Sequence, residues 1–234
     1  MSCEIDSTTV ADRDEQYCSI LNRELVCALG CTEPIAVAYA AAIARETLGS
    51  EPEHLELECS GNIIKNVKSV TVPNSGGMHG LEAAATLGAV GGNPENALEV
   101  LESVDDAARA RTAELLADPA FADVSLAENV PNLYIRVKAQ ADDHTADIII
   151  SDHHTNVVWR ALDDQKLAGS WDAPECAAAV ADTARTQGSS LSLEGIIDFA
   201  EHGEITGARA VLMRQMELND AISREGLEHA WGAE

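Results

Sequence analysis

Apolar residues recur at helical spacing between Ala11 and Leu29, through Ile20, Leu21, Leu25 and Val26, which predicts a helix ending at Leu29. Gly30 suits the left-handed position that closes such a helix. Pro34, in a first turn, gives up only an amide with no intrahelical partner, so a second helix is expected over Pro34 to Leu48. That run is apolar nearly all round and should be buried on most sides. The two helices form a hairpin with Cys31 at the joint. Beyond it, His54 to Cys59 alternates Leu55 and Leu57 with Glu56 and Glu58 and reads as a strand. A second β-like run is expected over Val67 to Val72.

Leu81 to Val90 is helical, Asn93 and Pro94 cap a short helix reaching about Leu101, and Asp105 to Leu116 makes a further, solvated one. From Val124 to Trp159 the period changes. Leu133 to Val137, Ala146 to Ile150 and Val157 to Trp159 are β-rich with short polar turns between them, so hairpins are expected and no crossover helix has room. Asp163 to Pro174 is a polar link. Helical stretches follow at Pro174 to Arg185, Ser192 to His202 and Ile205 to His229, the last with a stripe through Ala208, Val211, Leu212, Met216 and Leu218. The fold class is therefore α+β: a helical hairpin and helices packed with a small, mostly antiparallel sheet of three to five strands. Residues 11–120 make a helical part, 121–162 a β-rich part and 174–232 the last helices.

Composition narrows the partners more than the chemistry. Forty acidic residues against fifteen basic ones give a formal charge of −25, a field that repels phosphate backbones and anionic lipid, so neither nucleic acid nor membrane is an expected partner. No run is apolar enough to span a bilayer, and the first thirty residues carry six acidic side chains where a signal peptide would be basic and then apolar. A cytoplasmic location is expected. The six cysteines show no disulfide-framework spacing and fit thiols in a reducing compartment.

Two readings of Cys31 stand side by side. A thiol at a helix start feels the positive end of the dipole, which favours thiolate and suits a general base; a cysteine in an Ala-rich hairpin is equally at home as small packing. Asn62, Lys65 and Asn66 follow the first strand, as turn residues or as donors for a carboxylate. Asn74, Gly76 and Gly77 lie in a glycine-rich loop opening into a helix, a possible anion site that matches neither the phosphate-binding loop nor the dinucleotide fingerprint. His153 and His154, if on a strand, point to opposite faces and do not ligate one metal together.

The run Ala28-Leu29-Gly30-Cys31-Thr32-Glu33-Pro34-Ile35-Ala36 is followed by Ser60-Gly61-Asn62-Ile63-Ile64-Lys65-Asn66, then Gly88-Ala89-Val90-Gly91-Gly92, His154-Thr155-Asn156-Val157-Val158 and Ala221-Ile222-Ser223-Arg224-Glu225-Gly226-Leu227. In this order they resemble the L-cysteine desulfidase family, related to the iron–sulfur L-serine dehydratases, from about Gln16 to Gly232. The loop Asn74 to Gly80 departs from the family's GTGM-x-G pattern. The resemblance implies β-elimination from L-cysteine or L-serine, with a cysteine matched by Cys31 as base and Thr32, Glu33, Asn62, Lys65, Asn66, Asn74, Gly76, Gly77, His154, Thr155 and Asn156 about the substrate. It further implies a [4Fe-4S] cluster whose ligands lie in a C-terminal half or partner subunit beyond this chain; Cys3, Cys18, Cys59 and Cys176 are not on the ligand segment and are assigned no metal. Homo-oligomers are a further expectation.

Three other readings remain open: an L-serine dehydratase of the same type, a non-catalytic amino-acid-binding or regulatory module, and a pyridoxal-phosphate lyase with Lys65 as the Schiff-base lysine.

Overall fold

The alternation at residues 54–60 forms strand β1 (His54–Ser60), which turns Leu55, Leu57 and Cys59 into the core and leaves Glu56 and Glu58 on the outer face. The computed structural model describes residues 7–169 and 191–229. With β2 (Ala122–Ala127), β3 (Tyr134–Ala141), β4 (His144–Ser151), β5 (Val157–Leu162) and β6 (Gln165–Gly169), β1 builds a six-stranded sheet in the order β2-β1-β3-β4-β5-β6. The fold is α+β. The sheet is larger than the three to five strands expected, because β1 joins it from the N-terminal side and β6 forms where a polar link was expected.

β1 and β2 run parallel, Leu55 opposite Ala122 and Ser60 opposite Ala127, while the other neighbours are antiparallel. Parallel neighbours need a long connection, and residues 61–121 supply it. The expectation of hairpins alone fails here, because the register between distant strands is invisible to local periodicity.

The crossover contains α3 (Gly61–Val67), α4 (Gly80–Gly91), a 3-10 turn (Pro94–Glu99) and α5 (Asp106–Leu115). Local chemistry explains most of it. Asn93 accepts the Glu95 amide with Pro94 in the first turn, and Asp105 accepts the Ala108 amide. α3 replaces the turn and ends at Val67, and of the β run expected at 67–72 only an isolated bridge between Thr71 and His79 forms. Ser60 caps it by accepting the Ile63 amide at 3.4 Å, and Ile63 and Val67, four residues apart, are fully buried. Burial of that pair outweighs the turn preference of Gly61 and Asn62.

Helix α2 (Thr32–Leu48) lies between α4 and the inner faces of β3 and β4. Six alanines and few large side chains let its backbone approach α4 closely. It ends at Gly49, whose φ of 83° closes the helix in the left-handed conformation.

The first helix does not reach the Cys31 joint as expected. Helix α1 (Ser7–Glu24) stops short of Leu29, and the Leu29 amide bonds to the Leu98 carbonyl at 3.1 Å in place of an intrahelical carbonyl. Gly30 is left-handed as expected (φ 86°), but in an extended connection and not as a helix cap.

The described residues divide into two units. One runs from Ala28 to Gly169 and contains the sheet, α2 to α5 and every motif above except Ala221 to Leu227. The other is built from α1, α6 (Leu193–His202), a 3-10 turn (Thr206–Ala208) and α7 (Arg209–Glu228). Within it Tyr17 meets Phe199 edge-on at 5.3 Å, and Cys18 and Ala208 are buried. Arg13 pairs with Asp198 at 2.5 Å and the buried Asp14 accepts the Glu204 amide at 2.8 Å. Of the expected stripe on α7, Val211 and Leu212 pack on this core, while Met216 is exposed. The helix expected at Pro174 to Arg185 lies outside the described residues. No helix among the described residues is long and apolar enough to cross a membrane.

Candidate functional site

Cys31 occupies the position before the first turn of α2, with extended backbone (φ −64°, ψ 124°), and its side chain caps no amide. It reaches one turn in: the thiol donates to Glu33 Oε2 at 3.2 Å. Thr32 Oγ1 donates to the same oxygen at 3.3 Å, and Asn66 Nδ2, from α3, donates to Oε1 at 3.2 Å. Glu33 is thus the hub on which two stretches thirty-three residues apart in sequence converge.

A third stretch approaches from the sheet. The turn between β4 and β5 carries His154, half-buried and close enough to Glu33 for each to feel the other's charge. Its ring has no hydrogen-bond partner among the described residues. The two histidines are not on a strand. They sit in a tight turn, where the His153 amide bonds to the Ser151 carbonyl at 2.8 Å and Asp152 is left-handed (φ 68°).

The electrostatics reverse the expected state of Cys31. The residue as a whole is exposed, but the sulfur, turned toward Glu33, is partly desolvated, and this with the hydrogen bond to the Glu33 carboxylate pushes the thiol above its ordinary value. The Glu33 amide pulls the other way and loses. A helix start alone favours thiolate; a carboxylate accepting the thiol proton outweighs it. For Glu33 burial opposes ionisation, yet the donors on Cys31, its own amide and Asn66 hold its carboxyl below the usual range. Burial lowers His154 and favours neutral imidazole.

The remaining sequence candidates divide. Asn62 and Lys65 are exposed on α3, away from the buried Ile63 and Val67, and neither bonds to Glu33. Asn156 is spent on its own turn, its carboxamide donating to the Ser151 carbonyl at 2.9 Å; Thr155 is exposed beside it. Asn74, Gly76 and Gly77 are not brought to the cluster. Asn74 donates to the carbonyls of Leu101 (2.8 Å), Glu102 (3.3 Å) and Val104 (3.2 Å) and accepts from Arg109 at 3.0 Å. The loop folds on itself through the Val72 amide to the Met78 carbonyl, and a Cβ at Gly76 would sit 3.3 Å from Arg109 Cδ. This loop fastens to the start of α5, and its polar groups serve that purpose. Its first residue, Pro73, packs under Gly30, where a Cβ would stand 3.3 Å from Pro73 Cγ.

The described cysteines do not fit a [4Fe-4S] cluster. Cys59 is sealed in β1 with its thiol pushed up to about 12 by burial, and Cys18 donates to the Glu204 carbonyl within the helical unit. Among the described residues no three His, Cys, Asp or Glu side chains are disposed to share a metal ion. Cys3 and Cys176 lie outside the described residues. Two shallow cavities, of about 280 and 420 Å³, open on the outer face of the sheet around Arg136 and Lys138, but Arg136 is held by both carboxylate oxygens of Asp147 at 2.9 Å and Lys138 faces Glu56 at 3.6 Å. Neither includes Cys31.

The role of Glu33 as hub was the part least visible in sequence. Its one signal is an acidic residue two positions after a cysteine in a first helical turn.

Comparison with known proteins gives relatives without a stated activity. The chain is 41% identical over 219 residues to a UPF0597 protein of Finegoldia magna, covering 93% of this chain and 51% of the relative. It is 39% identical over 222 residues to a UPF0597 protein of Treponema denticola, covering 95% and 50%. A UPF0597 protein of Lachnoclostridium phytofermentans is 39% identical over 213 residues, 91% and 49%. The chain therefore spans about half the length of the curated relatives it matches. No family model matches it. No solved structure matches it.

Proposed function

We propose that this chain forms the proton-transfer part of a lyase that β-eliminates L-cysteine, with L-serine as the alternative substrate of the same chemistry. The observation that carries the reading is the convergence of a thiol (Cys31), a carboxylate (Glu33), a carboxamide (Asn66) and a neutral imidazole (His154) from three separate elements.

The reaction needs a base at Cα. Cys31, as thiolate, takes the α-proton; the C–H electrons become the Cα–Cβ double bond and the Cβ–S bond breaks with its pair leaving as hydrosulfide. The resulting enamine tautomerises to an imine, and water releases pyruvate and ammonia. Asn66 is fixed by Glu33, and the exposed donors of Asn62 and Lys65 on the same helix offer contacts for the substrate carboxylate. The cluster implied by the family resemblance finds no ligand set among the described residues.

The test is to co-express this chain with the half of a relative that it does not match, reconstitute anaerobically with iron and sulfide, and assay pyruvate from L-cysteine and L-serine. The expectation is turnover that Cys31→Ser lowers by about 10²-fold or more, the usual worth of a positioned base. Absence of turnover with both substrates, or a variant equal to the parent, overturns the reading.

A further inference from the structure

The groups around the Cys31–Glu33 pair are few and come from distinct elements. Glu33 stands on the first turn of α2 with an oxygen 3.2 Å from the sulfur. Asn66, on α3, is uncharged and grips the other Glu33 oxygen, and Lys65 beside it is exposed. From the β4–β5 turn, His154 interacts electrostatically with Glu33, and His153 with His154. Glu33 is the one anion among these. Its donors, the side chains of Cys31, Thr32 and Asn66 and its own amide, are all neutral, so its charge meets no cation at hydrogen-bond distance among the described residues.

That arrangement has a chemical consequence. A carboxylate that is ionised, partly buried and bonded only to neutral donors is a receptor for a cation, and the weakest of its donors is the S–H, which an N–H of an ammonium group readily displaces. In an α-amino acid the ammonium nitrogen is attached to the same carbon as the hydrogen that the base must remove.

We propose that Glu33 recognises the ammonium group of the amino-acid substrate, and that this contact frees the Cys31 thiol from the hydrogen bond that retains its proton. It rests on the amino-acid lyase reading above. The ammonium donates to Glu33 Oε2 in place of the thiol and neutralises the nearby charge; the thiol proton passes to solvent water. The base then forms only when the site is filled, and an empty site keeps its cysteine as the less reactive thiol.

The test follows the pH profile of Cys31 alkylation by iodoacetamide in the purified chain, read on the Cys31 peptide by mass spectrometry. The probes are L-alanine, which has the ammonium and carboxylate but no β leaving group, and propionate, which lacks the amine. Using the midpoint of the profile separates ionisation from shielding, since a bound molecule that blocks the reagent lowers the plateau and leaves the midpoint in place. The expected result is that L-alanine moves the midpoint down by about one pH unit or more, tenfold more thiolate at a fixed pH below the midpoint, and that propionate does not. Glu33→Gln has the lowered midpoint without any probe and no longer responds to L-alanine, while Glu33→Asp retains the response.

An unchanged midpoint in Glu33→Gln overturns the control of Cys31 by Glu33. A lowered midpoint in that variant with no response of the parent to L-alanine overturns the recognition of the amine. Circular dichroism establishes that each variant is folded. The two readings fail separately: a profile that behaves as expected without turnover removes the lyase and leaves the switch, and turnover that depends on Cys31 with a fixed profile removes the switch and leaves the lyase.

Discussion

Gly88 of α4 lies so close to Ala38 of α2 that a Cβ added to it would stand 2.2 Å from the Ala38 carbonyl oxygen. No real side chain atom tolerates that distance, and the obstacle is backbone, which cannot swing aside as a side chain can. This contact sets how deeply α2 settles onto α4, and α2 carries Cys31 and Glu33 at its start.

Gly88→Ala should therefore destabilise the protein although alanine is the better helix former. Overpacking a tight core costs about 1–3 kcal/mol, more than the roughly 1 kcal/mol that alanine gains over glycine in a helix. Urea unfolding followed by circular dichroism should show a lower midpoint with an unchanged slope. A variant as stable as the parent would contradict the α2–α4 contact.

Cysteine labelling should rank by environment. Cys59, fully buried with its thiol pushed up to about 12, should resist iodoacetamide until the protein unfolds. Cys31 should label in the folded protein, and because its thiol is raised by desolvation and by Glu33, its rate should still be climbing above the ordinary thiol range of about 8.5. Peptide mapping across a pH series checks both; labelling of Cys59 in step with Cys31 would be the contrary result.

Acid should loosen the helical unit through Asp14. The Glu204 amide and the Arg13 guanidinium hold its carboxyl below the usual value. A group depressed in the folded state contributes stability that is fully present above its unfolded value of about 3.9 and is lost as pH falls through the folded value. Asp14→Asn removes this contribution, so its stability should change less than that of the parent between neutral pH and pH values below that range. Proteolysis at α1 and α6 along a pH series is the measurement.

Asn74→Ala tests whether that residue serves the site or the scaffold. It would leave the carbonyls of Leu101, Glu102 and Val104 without their donor and place alanine at a φ of 54°. The expected loss is about 2 kcal/mol or more of stability, from unmet hydrogen bonds and left-handed strain together, with the Cys31 alkylation profile unmoved. A lowered affinity for L-alanine with unaltered stability would return Asn74 to the site.

Much of the architecture was legible because short-range chemistry encoded it. Asn93 with Pro94, Asp105, and Ser192, which accepts the Gly195 amide, each cap the helix that their spacing announces. The alternation of β1 and the small-residue run of α2 likewise appear where expected. Local signals misled where a distant partner competed. Leu29 bonds to Leu98 and α1 ends early; Ile63 and Val67 find a core, and a turn becomes α3.

By itself the sequence determined most of the helical and extended segments, which faces are apolar, and that a cysteine and an acid stand two residues apart at a helix start. Those properties depend on neighbours within one or two turns of chain. Only the tertiary structure decided that β1 lies between β2 and β3, that Asn66 bonds to Glu33, and that His154 comes within electrostatic reach of it. It also decided how far the Cys31 sulfur is desolvated, which with the Glu33 hydrogen bond raises the thiol above its ordinary value. Strand order and the titration of a side chain depend on groups far away in the chain, through pairing, desolvation and charge, and those distances exist only once the chain has folded.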